Sequence, residues 1–112
     1  KLVITCGFLA SLCVKHFSGS DIDVCIIEDF RAIKNGNLQN LTKDYSKIVI
    51  AEEHVSLTGL ASVIRSHLKF DNCNLIAAGL NNKNRFGYNH RLELLKLSKI
   101  DPKSIERLFD KL

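Results

Sequence analysis

Three stretches of this chain run apolar and largely β-branched with no polar residue alternating between them, and they limit what it can fold into. They are residues 2–6 (LVITC), 24–27 (VCII) and 48–51 (IVIA). A strand with one wet face alternates polar and apolar residues, whereas an unbroken run implies burial on both faces, as in a parallel sheet covered by helices. The third run belongs to residues 46–54 (SKIVIAEEH), a segment that ends in two carboxylates and an imidazole. A helical pattern follows over 55–68, with Leu57, Leu60, Ala61, Ile64 and Leu68 on one face. Gly59 in its first turn is expected to let the helix approach a neighbouring backbone closely. A buried strand, a polar turn and a helix make half of a βαβ unit, and such folds usually carry their chemistry at the strand end.

The remaining segments alternate in the same way. Residues 2–6 form a first strand punctuated by Gly7, and 8–17 read as a helix with Leu9, Leu12 and Cys13 on one face. Ser18-Gly19-Ser20 ends that helix. Residues 23–29 form a second strand, closed by Glu28 and Asp29. Residues 31–37 contain the turn pair Asn35-Gly36 and read as a loop, with a short helix over 38–45. A fourth strand spans 73–78 and is ended by Gly79; 81–88 is a polar loop, and Asn89 is suited to cap a helix carrying Leu92 and Leu95. Asp101-Pro102 is a helix start, a capping carboxylate followed by proline in the first helical position. Its buried stripe is Ile105, Leu108, Phe109 and Leu112.

Alternating strands and helices predict a three-layer α/β/α sandwich around a mostly parallel, doubly wound sheet, in one domain over 1–112. The simplest order places the first strand centrally, the second on one side and the third and fourth on the other. The switch point then lies between the first and third strands and brings Gly7 near Glu52, Glu53 and His54.

Residues 47–61 (KIVIAEEHVSLTGLA) resemble the strand, glutamate-histidine turn and glycine-containing helix start in the C-terminal domain of the transketolase family, whose enzymes depend on thiamine diphosphate. The family includes transketolase, 1-deoxyxylulose-5-phosphate synthase and the beta subunits of 2-oxoacid dehydrogenases. Residues 1–7 (KLVITCG) are similar to its strand ending in glycine, 21–34 (DIDVCIIEDFRAIK) to its next strand and basic turn, and 92–112 to its closing leucine-rich helices. The chain departs from the pattern at Thr58 and Ala61, where glycines are usual, and at Asn35, where proline is common.

The resemblance implies a fragment of a longer enzyme, an expectation shared by the start at Lys1 inside a strand-like run. It also implies an antiparallel strand from upstream sequence beside the second strand. The parent would transfer a two-carbon ketol unit, with thiamine diphosphate and Mg²⁺ held by its other domains and none bound by this chain. Packing against those domains and a second subunit, in a cytoplasmic homodimer, is the implied role. Gly7, Glu52, Glu53, His54 and Gly59 are the candidate domain or subunit contacts, with no catalytic residue, cofactor ligand or metal ligand assigned. A stand-alone α/β module that binds a small anion or a protein partner at the switch-point crevice is the alternative.

Other chemistries have less support in the residues. With 112 residues the chain is long enough to bury about two-thirds of its unfolded surface. Its 46% hydrophobic and 25% charged content is ordinary for a globular domain. No apolar run approaches the ~20 residues of a membrane span, and nothing resembles a signal peptide. The net charge of +4 invites a nucleic-acid reading, but the lysines and arginines are interleaved with acids and lack an aromatic platform. Cys6, Cys13, Cys25 and Cys73 form no CxxC pair or metal spacing and read as reduced core thiols.

A glutamate beside a histidine is a conceivable general base, as Glu53 and His54 stand. Glu28-Asp29 with Glu52-Glu53 would suit a Mg²⁺ pocket if the four carboxylates converged. Neither a GxGxxG fingerprint nor a GxxxxGK[ST] loop occurs. His16 is expected at the edge of its helix's buried face, and His67 and His90 at the surface.

Overall fold

A computed structural model of the chain describes residues 1–35, 37–55, 58–68, 74–80 and 91–112. Four strands, β1 (Leu2–Thr5), β2 (Asp23–Ile26), β3 (Lys47–Val55) and β4 (Asn74–Leu80), form one sheet in the order β2-β1-β3-β4. Every pairing among them is parallel, and the order is the one expected from sequence. The helices are α1 (Gly7–Phe17), α2 (Asn37–Thr42), α3 (Leu60–His67), α4 (Arg91–Leu97) and α5 (Pro102–Leu108).

The first and third unalternated runs are buried on both faces because each face carries its own core, whereas 24–27, at the sheet edge, is only partly buried and leaves Ile26 44% exposed. Val3, Val49 and Ala51 meet Leu9, Cys13 and Phe17 of α1, Leu95 of α4 and Ile105 of α5. Leu2, Ile4, Ile48 and Ile50 point the other way, to Ile33, Leu38 of α2, and Leu60, Ala61 and Ile64 of α3. Each fully buried Leu or Ile contributes about 1.5–3 kcal/mol, so these two layers supply most of the driving force. The result is the α/β/α sandwich.

Several boundaries differ from expectation. Cys6 leaves β1 to act as the N-cap position of α1, and Gly7 begins that helix with φ of 65°. β2 stops at Ile26, and a 3-10 helix at Phe30–Asn35 replaces much of the expected loop. β3 continues through Val55, which pairs with Leu80 after a register shift, so α3 starts only at Leu60. Gly79 does not end β4, which runs on to Leu80. Leu57, Cys73, the 81–88 loop, the Asn89 cap and His90 lie outside the described residues.

The C-terminal helix pair follows its local signals. Lys99 adopts φ of 58°, and the Lys99 and Ile100 amides donate to the Lys96 and Leu95 carbonyls at 3.1 and 3.0 Å. This is the two-bond closure that ends a helix with a left-handed residue. The chain then turns directly into α5, where Asp101 accepts from the Ser104 amide at 3.3 Å and from its hydroxyl at 2.6 Å. Pro102 stands at the helix start, as the sequence predicts.

Candidate functional site

The parallel register pairs Thr5 of β1 with Ala51 of β3, so the residues just beyond, Cys6-Gly7 and Glu52-Glu53-His54, emerge side by side at the switch point. Side chains alternate along a strand. Ala51 faces the α1/α4/α5 core, and Glu52 therefore turns to the α3 side while Glu53 returns to the α1/α4 side.

Glu52 is 2% exposed. Its Oε2 accepts from the Leu60 amide at 2.5 Å and its Oε1 from the Ala61 amide at 3.1 Å. These are two of the orphan N–H groups at the start of α3. Gly59, the N-cap residue, makes no side-chain cap bond, so the cap comes from the neighbouring strand. A carboxylate there also meets the positive end of the helix dipole. Gly59 is required by this arrangement. A Cβ on it would lie 2.8 Å from Glu52 Cδ and 2.9 Å from His54 Cδ2, and closer still to Glu52 Oε2. The close approach at Gly59 is thus to two side chains, not to a backbone as its sequence position suggested. The Glu52 carboxylate is likewise directed inward, because the α3 amides offer a buried anion the partners it needs.

Glu53 is held differently. Arg91, the first residue of α4, donates from Nε to Oε1 at 2.8 Å and from Nη2 to Oε2 at 2.7 Å. The guanidinium carbon sits 4.3 Å from the centroid of Phe8, in the first turn of α1. A two-pronged ion pair capped by an aromatic face ties β3, α4 and α1 together at one point. The Glu53 carboxylate raises the Arg91 pKa above its ordinary value. Nothing local in the sequence pointed to Arg91, which lies 38 residues from Glu53.

His54 is exposed, and among the described residues neither glutamate hydrogen-bonds its ring. The Cys6 thiol is pushed up first by burial and then by the Glu52 and Glu53 charges, which keeps it protonated. Thr5 Oγ1, at the end of β1, is buried with no hydrogen-bond partner among the described residues.

The four carboxylates do not converge. Asp29 binds Arg31 at 2.7 Å, Glu28 is exposed, and Glu52 and Glu53 point to opposite faces of the sheet. His16 lies 3.0 Å from Glu106 on the surface, and His67 is exposed on α3, 2.8 Å from the Ser66 hydroxyl. Cys13 is fully buried in the α1 core, as its helical position predicted, while Cys6 and Cys25 are partly buried.

No family model matches the sequence, and no curated protein matches it. A solved structure described as a split gene transketolase, inactive beta4 tetramer, superimposes with a TM-score of 0.79 over 98% of this chain, at 18% identity. The chain spans 38% of the length of that protein. At such identity the likeness is one of fold, and the fold is that of a transketolase C-terminal-like domain.

Proposed function

We propose that this chain, having the transketolase C-terminal-like fold, is the C-terminal domain of a thiamine-diphosphate-dependent enzyme that transfers a two-carbon ketol unit. Its part there is packing and subunit assembly, in a cytoplasmic homodimer. The observation that carries this reading is the state of the switch point. Glu52 is committed to the α3 amides and Glu53 to Arg91. A general base needs a carboxylate or imidazole poised on a reacting atom, and these two carboxylates are instead structural.

Thiamine diphosphate supplies a stabilised carbanion equivalent when bound. The residues of this chain do not fit it. The sequence has no GDG-type diphosphate motif, and the buried carboxylate at the strand ends already carries two amide bonds. In this reading the cofactor and its Mg²⁺ are assigned to the other domains of the parent enzyme. Exposed His54, backed by the Glu52–Gly59 brace, is the group offered to a neighbouring domain or subunit.

The test uses the complete enzyme that carries this chain, assayed for cofactor-dependent ketol transfer and for assembly by sedimentation velocity. His54→Ala is expected to weaken assembly while the rate per assembled enzyme stays near the parent value. An intact assembly with a collapsed rate would make the imidazole chemical and overturn the proposal. Saturable micromolar binding of thiamine diphosphate by this chain alone, by calorimetry with Mg²⁺ present, would do the same.

A further inference from the structure

A second feature lies on the other side of the molecule from the Glu52 brace, between α1 and the α4–α5 pair. The abrupt turn at Lys99 sets α4 and α5 apart and leaves an open groove of about 610 Å³ against α1. Its apolar lining comes from Leu12, Leu92, Leu95 and Pro102. Leu92 is 42% exposed and adds apolar surface at the mouth of the groove.

The charged lining is mostly cationic, three lysines against Asp101, with His16 beside them. Lys15, Lys96 and Lys103 stand along the groove, and none has an ion-pair partner among the described residues. The groove's one acid and a neighbouring one on α5 are engaged elsewhere, while Glu93 stands exposed one helical turn before Lys96. Asp101 caps α5 through Ser104, and Glu106 binds His16. An apolar floor between two helical ridges, with a cationic rim, is the shape and charge pattern of a helix-in-groove site.

We infer that the α1/α4/α5 groove docks an acidic amphipathic helix from a partner protein. Its leucine-type side chains would seat on Leu12, Leu92 and Leu95, and its carboxylates would meet Lys15, Lys96 and Lys103. Charge complementarity selects this occupant. An acidic helix is attracted by the three exposed ammonium groups, an apolar segment gains nothing from them, and a basic one would be repelled. The inference does not depend on the enzymatic reading, since the groove shares no residue with the switch point.

The experiment uses the full chain and a fluorescein-labelled 16-residue helical peptide with leucines at i, i+3, i+4 and i+7 spacing and glutamates on the flanks. Anisotropy is expected to show saturable binding that weakens at least tenfold between 50 and 500 mM salt. The K15E/K96E/K103E variant should abolish binding, and Leu92→Asp should weaken it at least tenfold. All four positions are at the surface, so the folded circular-dichroism spectrum should be kept. The equal-charge control K43E/R65E/K111E, also at surface positions, should bind like the parent. Equal loss in the control, equal binding of a scrambled peptide, or no binding would overturn the inference. So would self-association by sedimentation equilibrium that K15E/K96E/K103E removes, because the occupant would then be a second copy of the chain.

Discussion

Replacing Gly59 with alanine tests the brace between β3 and α3 directly. The new Cβ would lie 2.8 Å from Glu52 Cδ and 2.9 Å from the His54 ring, so the Glu52 carboxylate must move. Moving it breaks the bonds to the Leu60 and Ala61 amides inside a buried site. A hydrogen bond to a charged group is worth about 1.5–3 kcal/mol, and stranding a buried charge costs about 3–5 kcal/mol. The change of N-cap residue itself adds only a few tenths. The expected loss is therefore about 3–5 kcal/mol, a large share of the ~5–15 kcal/mol that holds a typical domain together. With a urea slope near ~1.5 kcal/mol per M, the unfolding midpoint should fall by about 2–3 M. Glu52→Ala removes the obstacle, so the double variant should cost about 1–3 kcal/mol less than the two single changes added. A Gly59→Ala midpoint within about 0.3 M of the parent, or strict additivity, would refute the steric reasoning.

Three further outcomes are expected. Burial pushes the Cys13 thiol up to about 12 from its ordinary 9.0, so the unfolded chain loses this proton first as pH rises. Stability should then fall between pH 9 and about 12, by up to about 1.4 kcal/mol per pH unit, with a shallower fall in Cys13→Ala urea titrations. Among the described strands β2 pairs only with β1, and its Ile26 is 44% exposed, so this edge invites pairing with other strands. Ile26→Lys should reduce light scattering at high concentration, and so should extension by the upstream antiparallel strand that the family resemblance implies; unchanged scattering in both would mean the edge is protected otherwise. Thr5→Val removes a buried hydroxyl without a partner among the described residues and should raise the urea midpoint by the equivalent of about 1 kcal/mol; a fall of that size would mean that the hydroxyl is satisfied.

Much of the architecture was legible in the residues because it follows from local physics. Unalternated runs such as Ile48-Val49-Ile50-Ala51 must be covered on both faces, and both cores are present. The strand order followed from the simplest connections, and Asp101-Pro102 started α5 through bonds made within four residues. The polar turn was another matter. Glu52, Glu53 and His54 looked like one acid-imidazole cluster, yet strand alternation separates the two carboxylates onto opposite sides of the sheet. Which partner each finds depends on what the sheet brings near: amides eight and nine residues away for Glu52, and a guanidinium 38 residues away for Glu53. The boundary of α3 was set in the same way. Its apolar stripe allowed an earlier start, but pairing of Val55 with Leu80 prolonged β3. Sequence by itself determined which segments are fit to be buried, since apolarity is a property of the side chains along the chain, though at the sheet edge 24–27 stays only partly covered. Only the tertiary structure decided which charges are spent holding the fold, because a buried ion is satisfied by whatever donors lie near in space.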